Sequence, residues 1–473
     1  MGLNAIISLN GIAAPLWHRV AQVVKRKNNI RWSAYTTDYR ADRFFDQHAD
    51  FYQYCLSDNT MAEWCETSNE EIDFAYLRQK EKEMGVSFWS LYYRDRRLSQ
   101  SILGMDYATM KLKSLYDRDH LLRIFQHRTK KTEEFLEHVR PDFIVMFSSL
   151  SSIGTCLLYY LAKAKGIKVA ILDSARLQDL YLFTDRYDDF PKIEQCSAYM
   201  KEAEKILDAY TNTGHFPLHY INDLIHTSSR LRTYWNIMRE SWEARRLTYH
   251  YAASLRHFVW FKVKEKLRPL TDRTHFEKPL PDGKFIFFPL HFEPEVSLLQ
   301  YAPYWTNQLE TLSHIARSLP CDISLVVKEH PVMVPFRTSD YYRQISEHPN
   351  VHLVSSKLSA FQIIQKSIGT VTISSTAGWE SMLLQKPVLV LGDVFYRHFP
   401  WSIPIESPKQ FYTLLRELDD WIPPSREVIV KCIANILALK PFHFKFFKYE
   451  KHPELLTDKA VDELCDHLIS FVL

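Results

Sequence analysis

"TVTISSTAGWESMLLQKPVLVLGD", residues 370–393, sets two short apolar runs on either side of a segment with helical spacing. TVTISS and PVLVLGD are each too short for a helix, and the connection between them suits a crossover helix, so the two strands are expected to lie parallel in one sheet. The first strand delivers Ser374, Ser375 and Thr376 to the N-terminus of that helix, which carries Gly378 and Glu380. Upstream the same alternation repeats: KFIFFPL, DISLVV and VHLVS read as strands separated by helical segments such as TNQLETLSHIARSL. A run of short apolar strands alternating with helices predicts a parallel sheet covered on both faces, the Rossmann-like arrangement.

The N-terminal part repeats the pattern more loosely. AIISL (5–9), IRWSAYTTD (30–38), DFIVMF (142–147) and KVAILD (168–173) are strand candidates, and Pro15 suits the first turn of a helix after the first of them. A Ser-rich start and Gly166 bound a helix between the third and fourth, giving a βαβ unit. Region 40–140 reads as mainly helical. The expected class is therefore α/β, with two Rossmann-like lobes facing a cleft and a helical insertion between them. We place the boundaries at 1–191 (first lobe, acceptor side), 192–278 (insertion), 279–424 (second lobe, nucleotide side) and 425–473 (a C-terminal helical tail).

Composition narrows the function. The 473 residues are 46% hydrophobic and 24% charged, as in a globular protein with more than one core. With only 11 glycines, neither a G-x-G-x-x-G fingerprint nor a phosphate-binding P-loop is present. The seven cysteines are scattered and never spaced C-x-x-C, which fits reduced thiols of a cytoplasmic protein and not zinc ligands or a disulfide framework. No apolar run is long enough to span a bilayer, and the N-terminus, without a basic leader, reads as a first strand. A net charge of +3 gives no reason to expect nucleic acid. It hides an uneven distribution: residues 225–278 hold 12 Lys/Arg against 5 Asp/Glu, interleaved with aromatics such as Trp235, Trp242 and Trp260. That composition suits peripheral contact with an anionic surface, such as the inner face of the cytoplasmic membrane; packed, solvated helices are the alternative.

Three clusters fall at carboxyl ends of strands in the second lobe, where open α/β sheets bind ligands. SLVVKEHPVMVP (324–335) ends an apolar strand in Lys328, His330 and Pro331, a cationic and imidazole-bearing tip suited to a phosphate. Ser374, Ser375 and Thr376 add hydroxyls at a helix N-terminus whose backbone N–H groups favour an anion; simple capping is the alternative. FFPLHFEPE (287–295) brings His291, Glu293 and Glu295 to the same end. Either carboxylate could serve as a catalytic base, with Asp173 and Asp38, at strand ends of the first lobe, as rivals. Arg176, near Asp173, could hold an anion.

FPLHFEPE, LVVKEHP, TISSTAGWE and KPVLVLGDVFY, in that order, resemble bacterial capsule polysaccharide biosynthesis proteins, a group akin to β-Kdo transferases and bacterial polysialyltransferases of GT-B fold. The resemblance covers 285–396. It implies a metal-independent glycosyltransferase that moves a sugar from a nucleotide donor, most readily a CMP-linked acidic sugar such as Kdo or sialic acid, to a surface polysaccharide or its lipid-linked precursor. The nucleotide sugar is then a co-substrate and no resident cofactor is expected. The resemblance puts His330, Ser374 and Ser375 on the nucleotide and its phosphate, and Glu380 on the ribose. A polyol-phosphate transferase or sugar-nucleotide epimerase of the same fold, and a non-catalytic component of polysaccharide assembly or export, are the alternatives.

Overall fold

The computed structural model describes residues 2–58, 70–95, 116–147, 150, 152–177, 179–187, 198–214, 276, 280–293, 295–334, 337–417, 422–452 and 455–473. The basic, aromatic stretch 225–278 thus lies, but for Phe276, outside the described residues, and so does most of the expected insertion.

Two sheets organise the molecule. The first contains β1 (Asn4–Leu9), β2 (Arg31–Thr36), β3 (Cys55–Ser57), β4 (Phe143–Phe147), β5 (Lys168–Ser174) and β6 (Leu180–Thr184) in the order β6-β5-β4-β1-β2-β3. The second contains β7 (Lys284–Pro289), β8 (Ile323–Lys328), β9 (Val351–Val354), β10 (Gly369–Thr372), β11 (Val388–Val390) and β12 (Ser402–Pro404) in the order β12-β11-β10-β7-β8-β9. The two orders correspond strand for strand, and each reverses direction between its first and fourth strands, which makes that gap the topological switch point. All pairings are parallel except that β6 runs antiparallel to β5. Helices cover both faces, so the central strands are buried almost end to end: Ile286, Phe287 and Phe288 have no accessible surface, nor do Leu325, Val326 and Val327. This is the α/β, GT-B-like arrangement expected from the strand–helix alternation.

The C-terminal segment is mainly helical and packs back on the rest of the chain. Helix Arg426–Ala438 packs on helix Met200–Thr213, and the chain then returns to the first lobe. There β13 (Phe442–His443) pairs antiparallel with β6, and helix Asp458–Val472 packs on helix Ala14–Asn28. Val461, Leu464, Cys465 and Leu468 are fully buried in the core that covers one face of the first sheet. An amphipathic helix must bury its apolar stripe somewhere, and the first sheet supplies the uncovered face. A further core joins the lobes, with Leu177 and Leu182 from one side, Trp379 and Val390 from the other, and Tyr210 and Ile433 between.

Candidate functional site

A cavity of about 300 Å³ lies between the lobes and collects the strand-end clusters. Its second-lobe wall includes His291, Lys328, His330, Ser374, Thr376 and Glu380; Asp173, Arg176, Thr184 and Tyr187 come from the first lobe. Pro331, Ser375 and Glu295 also line it.

The charged tip of β8 is explained by its partners. Lys328, Glu329 and His330 all line the cavity, but Glu329, between the other two, is fully buried. Glu329 accepts from Arg337 Nε at 3.1 Å and from the His330 backbone N–H at 2.7 Å. Arg337, also fully buried, pairs with Glu293 and donates through Nη2 to the His291 carbonyl at 2.9 Å. Tyr341 lies beneath it, 4.2 Å from the guanidinium. This knot ties the ends of β7 and β8 together. It also gives Glu293 a different task from the one expected: its carboxylate is committed to Arg337 and does not line the cavity. Asp38 is placed otherwise too, because its Oδ1 accepts from the backbone N–H groups of Arg40 and Ala41 and caps helix Tyr39–Asp46. Of the four candidate bases, Asp173 and Glu295 remain at the cavity. Burial raises the Asp173 carboxyl above its usual range, against the pull of the nearby Arg176.

The end of β10 is the other half of the site. Ser375 caps helix Thr376–Leu383, its Oγ accepting from Ala377 N–H at 3.2 Å. Gly378 does not reach the cavity wall but allows this turn to sit where it does: a Cβ there would lie 2.6 Å from the Tyr396 hydroxyl, which itself donates to the Ser375 carbonyl. The Ser374 N–H donates to His291 Nε2 at 3.0 Å, joining the ends of β7 and β10 across the switch point. Burial and the positive field of Lys328 and Arg337 hold His330 down to about 4, and burial holds His291 to about 3, so both imidazoles are neutral near pH 7. Positive charge at the cavity therefore comes from Lys328 and Arg176.

Glu380 reaches back from the second turn of the same helix. Burial pushes its carboxyl up to about 7, opposed by hydrogen bonds from Tyr210 and Thr376 and by Lys328. The Tyr210 hydroxyl donates to it at 3.3 Å. The lobes are also linked directly, since Trp379 Nε1 donates to the Arg176 carbonyl at 3.2 Å. Arg176 holds a left-handed backbone, φ 56°, stabilised by its N–H bond to Ser174 Oγ. A strained non-glycine residue at a cleft is a common mark of a functional position. Arg337, Tyr210 and Trp379 were not legible as site residues, because nothing in their local sequence says which distant strand end they meet. Among the described residues no group of three or more His, Cys, Asp or Glu could hold a metal ion. No helix among them is long and apolar enough to cross a membrane.

Residues 240–400 match the family described as capsule polysaccharide biosynthesis protein, the family to which the four motifs bear their resemblance. The capsule polysaccharide modification proteins LipB of Neisseria meningitidis serogroups A and B are each 29% identical to this chain over 126 residues, 24% of this chain and 29% of theirs. The match thus spans less than a third of the length of these relatives. Among solved structures, the β-Kdo 2,7-transferase KpsC of Thermosulfurimonas dismutans is 16% identical, with 72% of this chain and 89% of that one covered at a TM-score of 0.34. The UDP-GlcNAc 2-epimerase of N. meningitidis is 13% identical, with 92% and 100% covered at a TM-score of 0.26.

Proposed function

We propose that this protein is a glycosyltransferase of capsule polysaccharide synthesis that takes a sugar from a nucleotide donor held on the second lobe and passes it to a glycan or glycolipid acceptor on the first. The observation that carries the reading is the convergence, on one interlobe cavity, of three donor-rich strand ends with carboxylates from opposite walls, Asp173 on one side and Glu295 and Glu380 on the other. Lys328, His330 and the turn 374–376 can offset the charge that develops on a departing nucleotide phosphate, since fixed donors in a water-poor site stabilise such charge strongly. Glu380, once ionised, can accept from both hydroxyls of a ribose. Asp173 stands on the acceptor side with its proton affinity raised, as a base that must work near neutrality requires. Glu295 is the second candidate. A CMP-linked acidic sugar is the donor class we favour, with Arg176 as a partner for its carboxylate.

The test is a panel of nucleotides and nucleotide sugars (CMP-, UDP- and GDP-linked) in thermal-shift and calorimetric titrations, followed by sugar transfer to capsule oligosaccharide. Selective binding of one nucleotide, with its release dependent on acceptor, supports the proposal; indifference to all of them favours an assembly component. An epimerase of the same fold would instead turn over its nucleotide sugar without acceptor. We place the acceptor's membrane contact on 225–278, where salt-sensitive co-sedimentation with anionic vesicles is expected. Equal binding to neutral vesicles would remove that assignment.

A further inference from the structure

Helix Met200–Thr213 buries a stripe of Ala203, Ile206, Leu207 and Tyr210, spaced as the apolar face of a packed helix. The first three need only apolar neighbours. Tyr210 brings a hydroxyl into the same core, and a buried hydroxyl needs a partner. It has one on the second lobe, where Tyr210 Oη donates to Glu380 Oε2 at 3.3 Å. The ring itself is fully buried in the core between the lobes and meets Phe361 edge-on, with 5.6 Å between centroids. The helix ends against that phenyl group too: Gly214, at φ 64°, leaves free the space of a Cβ that would lie 2.7 Å from Phe361. Burial and then Glu380 push the Tyr210 phenol well above its ordinary range, so it remains a donor wherever Glu380 titrates. Glu380 lines the cavity and Tyr210 does not.

We infer that Tyr210 is the positioning residue of Glu380: from behind the cavity wall its hydroxyl orients the carboxylate and favours the ionised form, leaving the remaining lone pairs to accept from a ribose diol. The preference for ribonucleotides over 2′-deoxyribonucleotides then follows the ionisation of Glu380. The ligand's identity rests on the proposed nucleotide donor, but the hold of Tyr210 on Glu380 does not. A carboxylate accepts from two hydroxyls, whereas a carboxylic acid commits one oxygen to its own proton. Seating a diol must therefore expel the proton that burial keeps on Glu380 up to about 7. Tyr210, Thr376 and the charge of Lys328 all favour that release. Tyr396, kept protonated by burial, also neighbours Glu380, and Arg176, His330, Asp173 and Glu295 line the same cavity. Because Tyr210 stands in the interlobe core, the selectivity of the donor site is set from the joint between the lobes.

The readout is the ratio of ribonucleotide to 2′-deoxyribonucleotide affinity, taken by calorimetry for CMP, UMP and GMP and their 2′-deoxy counterparts at a series of pH values. Titration of the phosphate and of the other cavity groups acts on both members of a pair and cancels. In the wild type the ratio is expected to rise about 5- to 30-fold from mildly acidic to mildly alkaline pH, as a bond to a neutral acid becomes one to a carboxylate. Tyr210→Phe keeps the ring and its packing. It should move the midpoint of that rise upward by about half a pH unit or more, with deoxyribonucleotide affinity within about twofold. Glu380→Gln should abolish the rise. An unmoved midpoint, or equal weakening of both members of a pair, would make Tyr210 merely structural and overturn the inference; a flat ratio in the wild type would remove the ribose from Glu380 and the selectivity with it. Without any ligand, carbon-13 spectra of labelled glutamate carboxyls should show the Glu380 titration moving to higher pH in Tyr210→Phe. If no nucleotide binds the wild type while that titration still moves, the donor reading falls and the hold of Tyr210 stands; an unmoved titration sinks the hold itself.

Discussion

The two lobes present the same strand order and, after the fourth strand of each, a helix whose N-terminus points to the carboxyl edge of its sheet. They treat that terminus in opposite ways. In the first lobe it is filled by the protein itself: Asp95 Oδ2 accepts from the Ile153 N–H at 2.7 Å, and Asp58 Oδ2 accepts from the Ser152 hydroxyl at 2.7 Å. Arg128, fully buried, pairs with Asp58 at 3.0 Å. Gly154 permits this closeness, since a Cβ there would lie only 2.0 Å from Asp58 Oδ1. In the second lobe the matching turn, 374–376, opens on the cavity among Lys328, His330 and His291. Helix termini attract anions, and the first lobe satisfies its own internally. Under the proposed function, this contrast assigns the nucleotide phosphate to the second lobe and leaves acceptor and base to the first.

The largest effect should follow from the first lobe's contribution to chemistry. Asp173→Asn is expected to lower kcat by about 10²- to 10⁴-fold, the usual yield of a general base, while nucleotide affinity stays within about twofold. Steady-state kinetics beside calorimetry checks this, and undiminished turnover would move the base to Glu295. Next come the two buried arginines. Arg337→Met leaves Glu293 and Glu329 unpaired, and Arg128→Met does the same to Asp58, so each should cost ~3–5 kcal/mol in urea unfolding. Only Arg337→Met should also weaken nucleotide binding, because only that knot positions His291 and His330; an equal effect of Arg128→Met would break the comparison.

These arginines also mark where sequence reading runs out. Strands such as KFIFFPL and DISLVV were legible because a buried parallel strand is apolar on both faces, and the crossovers between them left few topologies. Strands β3, β6, β12 and β13 were not, because CLS, SIP and FH form no apolar run, LYLFT has no crossover helix to frame it, and their pairing is decided by distant partners. The amphipathic stripe of 458–472 announces a helix but not the sheet it covers. The same holds at the site. His291, Lys328, His330 and Ser374 sit at strand ends and could be found by position. Glu293 and Glu295 look alike in the sequence, and only Arg337, far along the chain, makes one of them an anchor and leaves the other at the cavity.

Glu380 supplies the pH dependence. In the folded protein its carboxyl holds a proton up to about 7, whereas the unfolded chain releases it near 4.5, so the native state binds more protons across that window. Stability should therefore fall as pH rises from about 4.5 to about 7, by ~3 kcal/mol at most. Glu380→Gln should flatten that slope in chemical unfolding at a series of pH values; an unchanged slope would assign the proton elsewhere. The smallest effects distinguish the caps. Ser152→Ala and Ser375→Ala should each cost ~0.5–2 kcal/mol of stability, but only Ser375→Ala should also change nucleotide affinity.

The central claim is that the terminus at 374–376 binds the donor's anion because, unlike its counterpart at 152, where Asp95 accepts from the Ile153 N–H, no carboxylate among the described residues accepts from a backbone N–H of the turn. Ser374→Asp installs one. Calorimetric titration of this variant with the nucleotide that the wild type selects is predicted to show affinity reduced about 100-fold or more, since like charges placed together cost several kcal/mol. The fold should persist, because a carboxylate at a helix N-terminus is favourable. A well-folded Ser374→Asp protein that binds the nucleotide as the wild type does would contradict the account.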